Sequence, residues 1–409
     1  MNNILINQVA ALNTPKTESP NNINTKRVFS SVPVERLEKI NGADPFDKPS
    51  KMLLSLLKTS FSDEKPDLEI FKGANHSDWL KMVEIADESS VSAMAADAVA
   101  KMPKNTIPTR VIVNLLKVAN EAEQRHAQQE KIIGAFSERL AQKGIETVQL
   151  KGIGLSMGYP VPQHRFGGDI DVFTRLKGTV TNYRSNSSDI VDDMIAADGV
   201  KIDDYKVPRV KHSEFIQDGV RIENHRYFVN RERLYEAKKI DEYLHKTLNP
   251  VEKILPHGTK ILVPSKEFNT VFLAQHAFQH FVFGGLDMHH LTDWCVHIKA
   301  NGLEFPEELK GTNLEKFTYA LTNLSNKYLG TKVKAPEDKK YEGKIFDTML
   351  HPVNEKTPEG LSKPEILLFK AKRIIKKSKH AKEYGGRSIT RIFIQRAFEK
   401  LKDPAVLFR

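Results

Sequence analysis

Residues 148–174 read VQLKGIGLSMGYPVPQHRFGGDIDVFT, and this stretch decides both the fold and the candidate site. The pattern predicts one strand that ends near residue 150 and another that begins at residue 169. Side chains alternate between the two faces of a strand, so Asp169 and Asp171 share one face while Ile170 and Val172 point toward a core. Two carboxylates held on rigid backbone can bind divalent metal ions.

The loop between these strands combines glycines with two basic residues. Lys151 and Gly152 follow the first strand, and Arg165 lies four residues before Asp169. Glycine permits close approach of the backbone to a ligand, and the two cations add the charge that a phosphate group requires. Asp-x-Asp alone is a weak signal, because surface strands often carry two acids. The Lys-Gly turn and Arg165 beside it favour a phosphate and metal site.

A third carboxylate lies on a later strand. Asp218-Gly219 separates HSEFIQ from VRIENHRYF, and Asp-Gly between alternating residues is a strong hairpin signal. On the second strand Glu223 and His225 share the polar face with Arg221. Glu223 is either a third metal ligand or a carboxylate paired with Arg221, and His225 either orients a phosphate or only lies on the polar face. The residues that follow, 231–262, are predicted to mix short helices and loops.

The net charge of the 409-residue chain is +10, and it is concentrated near the C-terminus. Residues 370–402 contain 12 Lys and Arg against Glu383 and Glu399, so the rest of the chain is close to neutral. A surface that is basic throughout, as in a general nucleic-acid-binding protein, is therefore excluded. This basic segment is expected to pack with its charges outward, and contact with an anionic membrane or with nucleic acid is the alternative.

The sequence shows no membrane or export signal. No apolar run reaches the ~18 residues of a membrane helix, and the polar N-terminus lacks the apolar core of a secretory signal. The single cysteine, Cys295, excludes an internal disulfide. We therefore expect a cytoplasmic protein, and peripheral attachment to a membrane through the basic segment is the alternative.

The chain divides into regions of different composition. Residues 1–47 are polar and are predicted to be disordered or a linker. Helical patterns follow at 48–144 and at 263–330, and between them residues 145–262 form the predicted α/β core. Residues 331–409 are predicted as a loop, up to residue 362, and two basic amphipathic helices. The expected fold class is α+β, with a small mixed β-sheet core flanked by N-terminal and C-terminal helical regions.

These motifs resemble the nucleotidyltransferase superfamily that includes DNA polymerase β. More closely, they are similar to a bacterial family of uncharacterised nucleotidyltransferases with Leu-Lys-Gly followed by Arg-x-x-x-Asp-Ile-Asp. The matching residues are Leu150-Lys151-Gly152, Arg165 and Asp169-Ile170-Asp171. Members of the superfamily usually have Gly-Ser or Gly-Gly after the first strand and a shorter loop, whereas sixteen residues separate Gly152 from Asp169 here. The Lys-Gly form favours the narrower family.

The resemblance implies an enzyme that moves a nucleoside monophosphate from an NTP to a hydroxyl acceptor. Asp169 and Asp171 would bind two Mg²⁺ ions about 3.5–4 Å apart. Glu223 would complete the shell of one ion and accept the proton of the attacking hydroxyl. Lys151 and Arg165 would neutralise the triphosphate. The acceptor is open among a sugar, a small metabolite, a protein and RNA.

The resemblance also assigns further residues to the nucleotide. The backbone amides around Gly152 and Gly154 would donate to the triphosphate, and Gly168 and His225 belong to the same predicted group. The family's paired histidines on a C-terminal helix are matched by His276 and His280, which are four residues apart and so share a helix face. No Glu follows His276 as in HExxH, which favours a structural or substrate-cleft role over zinc.

Two other functions remain open. One is a non-catalytic protein that binds a nucleotide or a partner through the same fold. The other is a membrane- or nucleic-acid-associated protein whose acidic cluster is structural.

Overall fold

The structure of the protein is a computed structural model. It describes residues 47–165, 167–179, 187–207, 210–350 and 362–387. Residues 1–46 of the predicted linker lie outside the described residues, and so does the second predicted basic helix, from residue 388 onward.

A mixed β-sheet organises this part of the chain. Its strands are β1 (Ile145–Gln149), β2 (Asp169–Leu176), β3 (Ile202–Asp203), β4 (His212–Gln217), β5 (Val220–His225), β6 (Val251–Ile254) and β7 (Lys260–Val263). They lie in the order β3-β4-β5-β2-β1-β7-β6. β2 pairs with β5 in parallel and with β1 in antiparallel orientation, and β1 pairs with β7 in parallel. The outer pairs β3–β4, β4–β5 and β6–β7 are antiparallel.

Helices precede the sheet in sequence, follow it, and lie between some of its strands. They are α1 (Lys48–Phe61), α2 (His76–Glu88), α3 (Ser92–Val99), α4 (Thr109–Ala141), α5 (Ser188–Ala197), α6 (Ala237–Thr247), α7 (Lys266–Val282), α8 (Met288–Asn301), α9 (Asn313–Leu329), α10 (Lys339–Leu350) and α11 (Lys363–Glu383). A mixed sheet flanked by helical regions confirms the predicted α+β class. Among the described residues, we find no helix with the length and apolar character needed to traverse a bilayer.

Alternation along β2 divides the sheet between two apolar cores. Ile170 and Val172 are fully buried on the face that packs against α4 and α5. On the other face Phe173 joins the larger core, which the flanking helices build. Asp169 and Asp171 share that second face with Phe173. The two carboxylates therefore lie where the sheet meets the helices.

Two local predictions differ from the structure. Residues 231–262 include α6, but they also include the β6–β7 hairpin, whose second strand pairs with β1. Each of these strands has four residues, and alternation of apolar and polar side chains cannot be recognised over so short a segment. Residues 331–362, predicted as a loop, include α10, which buries Ile345, Phe346 and Met349. Packing against the other helices stabilises it, although its mean hydropathy is low.

The Asp-Gly hairpin prediction is confirmed. β4 and β5 pair in register on either side of Asp218 and Gly219. Both turn residues have positive φ, 48° and 77°, as a type I′ turn requires.

A buried carboxylate on α5 fixes this hairpin. Asp192 Oδ1 accepts hydrogen bonds from Ser213 Oγ at 2.7 Å and from Asn224 Nδ2 at 2.8 Å. Its Oδ2 accepts from Arg226 Nη2 at 2.6 Å. Ser213 lies on β4, and Asn224 is the neighbour of Glu223 on β5 with its side chain on the opposite face. The Asp192 network therefore holds the strand that carries Glu223.

Helix α11 contains the described part of the basic segment. Leu368, Ile374 and Ile375 are exposed among its lysines, whereas Ala381 near its end is buried. His380 Nε2 donates to the carbonyl oxygen of Phe281 at 2.9 Å. The end of α11 therefore packs on α7, and contact of residues 370–402 with an anionic membrane or nucleic acid stays a prediction.

Asp192→Ala is expected to lower the free energy of unfolding by about 2–3 kcal/mol, because hydrogen bonds to a charged group contribute about 1.5–3 kcal/mol. Urea unfolding followed by circular dichroism measures the change. The matched control is Asp193→Ala, since the next residue is exposed and pairs with Lys206 at the surface. We expect no measurable change for the control, and equal losses in both variants would contradict the role of the Asp192 network.

Candidate functional site

Three carboxylates meet on one face of the β2–β5 pair. In the parallel register Asp171 lies opposite Glu223, and Asp169 precedes it on the same face. One oxygen from each carboxylate lies within 4.8 Å of the other two. Asp171 is fully buried, and Asp169 and Glu223 are partly exposed. The structure thus brings together the three residues predicted as metal ligands.

The ammonium group of Lys151 lies against these carboxylates. Its Nζ is 2.6 Å from Asp171 Oδ2 and 3.7 Å from Asp169 Oδ2. Burial opposes the charged ammonium, but the carboxylates of Asp171, Asp169 and Glu223 outweigh burial and raise the pKa of Lys151 above its ordinary value. Lys151 therefore stays protonated and balances part of the negative charge.

Two histidines contact the same carboxylates. His225 is fully buried, and its Nε2 lies 3.0 Å from Asp171 Oδ1 and 3.4 Å from Glu223 Oε2. A ring nitrogen between two carboxylate oxygens carries the proton and donates it. His212, opposite His225 in the β4–β5 register, places Nδ1 3.1 Å from Glu223 Oε2. His225, assigned from the sequence to the nucleotide group, thus holds the carboxylates in position.

These contacts set the ionisation of the site. Burial alone would raise the pKa of Asp171, but Lys151 and the hydrogen bond from His225 outweigh burial and lower it. Burial also opposes the ionised form of Glu223, yet the hydrogen bond from His225 and the electrostatic effects of His212, His225 and Lys151 together outweigh it and hold the pKa well below its usual range. Burial, together with the neighbouring His225, lowers the pKa of His212 to about 3. At neutral pH both carboxyl groups are therefore ionised and His212 is neutral.

The donor set suits a hard divalent cation. Mg²⁺ binds carboxylate oxygens, keeps several waters and uses substrate phosphates as further ligands. Asp169, Asp171 and Glu223 offer oxygens that converge on one region. Glu214, opposite Glu223 on β4, adds a fourth carboxylate at the edge of the site. Burial and the charge of Glu223 raise the pKa of Glu214.

Arg165 is held by a partner from a distant helix. Its Nε and Nη2 donate to Asp293 Oδ1 and Oδ2 at 3.1 and 2.8 Å. The hydroxyl group of Tyr159 donates to the same carboxylate. Arg165 and Asp293 are both buried, so this bidentate pair ties the loop after β1 to α8. Arg165 also lines the cleft described below, where its positive charge is fixed.

The glycines of this loop have different surroundings. Gly152 has a φ of +63°, a left-handed conformation that favours glycine. A Cβ at Gly154 would lie 3.0 Å from the carbonyl oxygen of Gln149, and the amide of Gly154 donates to the carbonyl of Lys151 at 3.1 Å. Gly168 lines the cleft, with open space where a Cβ would lie. Among the glycines predicted to contact phosphate, Gly168 is thus the one with a free approach.

Asp169 and Glu223 open into a cleft of about 560 Å³. Ligand-binding clefts commonly have volumes of about 300–1,000 Å³. Its lining also includes His276 and His280 of α7, His289 of α8, and Lys211 next to His212. Burial lowers the pKa of Lys211, while the charges of Glu223 and Asp171 oppose that effect. The paired histidines therefore lie in the cleft.

Sequence reasoning did not identify His212 or Asp293. A two-residue turn pairs residue 217 with residue 220, and counting back along the strands pairs His212 with His225. The hairpin signal was therefore sufficient to place His212 beside Glu223. No comparable signal links Arg165 to Asp293, because 128 residues separate them and the contact depends on how α8 packs.

Comparisons with known proteins place the chain in a family. A crystal structure of an antigenic nucleotidyltransferase-like protein from Paracoccidioides brasiliensis is similar at 14% identity, over 50% of this chain and 94% of that chain, with a TM-score of 0.33. A similarity this low adds nothing to the assignment. A search of curated proteins finds no match. The family model for uncharacterised nucleotidyltransferases matches residues 75–330, which include the whole sheet, the carboxylates and the cleft histidines. The chain belongs to this family of uncharacterised nucleotidyltransferases.

Proposed function

We propose that the protein is a metal-dependent nucleotidyltransferase that moves a nucleoside monophosphate from an NTP to a hydroxyl group of an acceptor. The acceptor oxygen bonds to the α-phosphorus, pyrophosphate leaves, and the hydroxyl proton passes to solvent. The observation that carries the proposal is the convergence of Asp169, Asp171 and Glu223 within 4.8 Å, at a cleft lined by Lys151 and Arg165. Membership of a nucleotidyltransferase family supports the reaction class.

In this proposal the three carboxylates hold Mg²⁺. Asp169 and Asp171 would bind the ions, and Glu223 would supply a further carboxylate ligand. Bound Mg²⁺ would stabilise the attacking and leaving oxygens of an in-line displacement. The lowered pKa of Glu223 keeps its oxygens charged but makes them weak bases. The role of metal ligand therefore suits Glu223 better than that of proton acceptor.

Lys151 has to change partners when a nucleotide binds. Its ammonium lies 2.6 Å from Asp171 Oδ2. A metal cation bound by Asp171 would compete with the ammonium for the same oxygen. A metal–nucleotide complex supplies both a cation for the carboxylates and phosphate oxygens for the ammonium. We infer that Lys151 moves from carboxylate to phosphate as the complex enters, and that metal alone binds weakly. Arg165, fixed by Asp293, supplies charge that does not move.

The same ion pair favours a second candidate function. If Lys151 neutralises Asp171 permanently, the cleft binds a nucleotide or another partner without metal, and the protein is not catalytic. The contact between Lys151 and both aspartates is the specific observation behind this candidate. The two candidates differ in what happens when Lys151 is replaced.

Asp169→Asn and Asp171→Asn are each expected to weaken Mg²⁺-dependent binding of ATP and GTP by at least about 10-fold, or 1.4 kcal/mol. Each substitution removes a charged metal ligand while keeping the side-chain shape. Isothermal titration calorimetry with Mg²⁺ and with EDTA measures the difference. Asp218→Asn is the matched control, since Asp218 lies in the exposed turn beyond Glu223 and Asn tolerates its positive φ. Equal nucleotide affinity in Mg²⁺ and in EDTA for all four proteins would overturn the proposal.

Lys151→Met is expected to shift metal and nucleotide binding in opposite directions. Removing the competing ammonium should strengthen binding of Mn²⁺ alone several-fold, whereas losing the phosphate contact should weaken binding of the Mn²⁺–ATP complex by about 10-fold. Electron paramagnetic resonance of Mn²⁺ measures the first affinity, and calorimetry measures the second. If the wild type binds no Mn²⁺ even with ATP and only Lys151→Met does, the non-catalytic candidate is correct.

A further inference from the structure

A cluster of three histidines lies beside the cleft, apart from the carboxylates. The ring centroids of His276 and His280 are 4.7 Å apart, and those of His280 and His290 are 4.4 Å apart. The centroids of His276 and His290 are 5.2 Å apart. One nitrogen from each ring lies within 4.8 Å of the other two. Two helices thus point three imidazoles at one place.

His290 has a buried ring nitrogen that makes no hydrogen bond within the described part of the chain. The residue is 4% exposed, and its Nε2 has no hydrogen-bond partner among the described residues. A buried polar atom of this kind is normally satisfied by protein, water or a ligand. The two rings beside it offer further imidazole nitrogens. An ion that accepts all three nitrogens would satisfy it.

The proton of His290 can be assigned from its other nitrogen. Nδ1 lies 2.9 Å from Asp287 Oδ1. The backbone amide of Asp287 also approaches Nδ1, but at 3.4 Å. The shorter contact to a charged oxygen is the stronger one, so Nδ1 carries the proton and Nε2 presents its lone pair. A histidine that donates to a carboxylate through one nitrogen and binds metal through the other is a frequent arrangement in metal sites.

All three imidazoles are in the form that a metal needs. Burial lowers the pKa of His276, His280 and His290, and the neighbouring imidazoles lower these pKa values further. The charge of Lys151 acts in the same direction on His276 and His280. Neutral imidazole is the ligand form of histidine, so binding would not have to displace a proton from these rings near neutral pH.

The geometry points to a second metal site, in which His276, His280 and His290 hold a divalent transition metal of the Zn²⁺ type. With Zn–N bonds of about 2.0–2.1 Å, nitrogens in a tetrahedral site lie about 3.3 Å apart. The three nitrogens now lie within 4.8 Å of one another, and small rotations of the rings would bring them to this shorter distance. Three protein ligands and one open position are typical of zinc sites at which chemistry occurs.

The fourth ligand would come from the cleft. His276 and His280 line it together with Lys151 and Asp169, so water or a substrate oxygen can reach the open position. The inference that this oxygen belongs to the acceptor rests on the proposed nucleotidyl transfer. The metal site itself does not rest on that proposal, because imidazole nitrogens and carboxylate oxygens prefer different ions.

The test is metal binding by the full chain. After chelator treatment and dialysis against Zn²⁺, we expect one tightly held Zn²⁺ per wild-type chain by mass spectrometry of the metal content. Co²⁺ in its place should give the visible absorption of a tetrahedral nitrogen site. His276→Asn and His280→Asn are each expected to weaken binding at least about 100-fold, since outer ligands alone contribute 10- to 100-fold.

Controls separate this site from its neighbours. His76→Asn changes an exposed histidine, and His289→Asn changes a histidine outside the cluster that pairs with Asp287; both variants should keep the ion. Glu223 belongs to both groups of possible metal ligands on the strand side, one with Asp169 and Asp171 and the other with His212 and His225. The Glu223→Gln variant should therefore also keep the Zn²⁺ ion. Loss of Zn²⁺ in Glu223→Gln or His289→Asn but not in His276→Asn would overturn the assignment, as would a wild type that retains none.

Folding is monitored separately, so that a misfolded variant is not mistaken for one that lacks a ligand. Zn²⁺ should raise the Tm of the wild type, of Glu223→Gln and of His76→Asn, because an ion that binds only the folded state stabilises it. It should leave the Tm of His276→Asn and His280→Asn unchanged. An equal shift in every variant would show that the ion binds elsewhere. Failure of Mg²⁺-dependent nucleotide binding would leave these results untouched, so the two proposals fail independently.

Discussion

The contact between Lys151 and the carboxylates of β2 is the interaction on which the site depends. Three carboxylates within 4.8 Å of one another repel, and burial penalises their charge further. The ammonium of Lys151, 2.6 Å from Asp171, and the proton of His225 supply the compensation that lowers the pKa of Asp171. With neither Lys151 nor His225 beside it and no cation in their place, a buried Asp171 would take up a proton. The loop after β1 is therefore a part of the acidic site.

The sheet supplies the geometry that this charge balance requires. Parallel pairing of β2 with β5 sets Asp171 opposite Glu223, and antiparallel pairing of β5 with β4 sets His212 opposite His225. On the opposite face of the sheet, Asp192 holds the hairpin by accepting a hydrogen bond from Asn224. A shift of one residue in either pairing would turn the carboxylates into the core and the apolar side chains into the cleft. The buried networks on both faces resist such a shift.

Strands and helices contribute different donor atoms to the same cleft. The strand side offers ionised oxygens, and the helix side offers neutral imidazole nitrogens on α7 and α8. Each set is kept in its form by its surroundings, since Lys151 and His225 favour ionised carboxyl groups and burial favours neutral rings. The pair of Arg165 with Asp293 joins the two sides, because it anchors the loop of the acidic site to the helix that carries His290. The two donor sets are thus linked mechanically although they suit different ions.

By itself, the sequence determined the features that depend on short-range pattern. Alternation fixed the shared face of Asp169 and Asp171, the Asp-Gly turn fixed the hairpin that presents Glu223, and the helical spacing fixed the common face of His276 and His280. The tertiary structure alone decided which distant side chains complete the site. Asp293 reaches Arg165, and His290 reaches the α7 histidines, only because α8 packs where it does. Pairing of β7 with β1 likewise depends on tertiary packing, because the four-residue β7 carries no readable pattern of its own. Such contacts depend on the summed packing of many side chains, and no local periodicity encodes that sum.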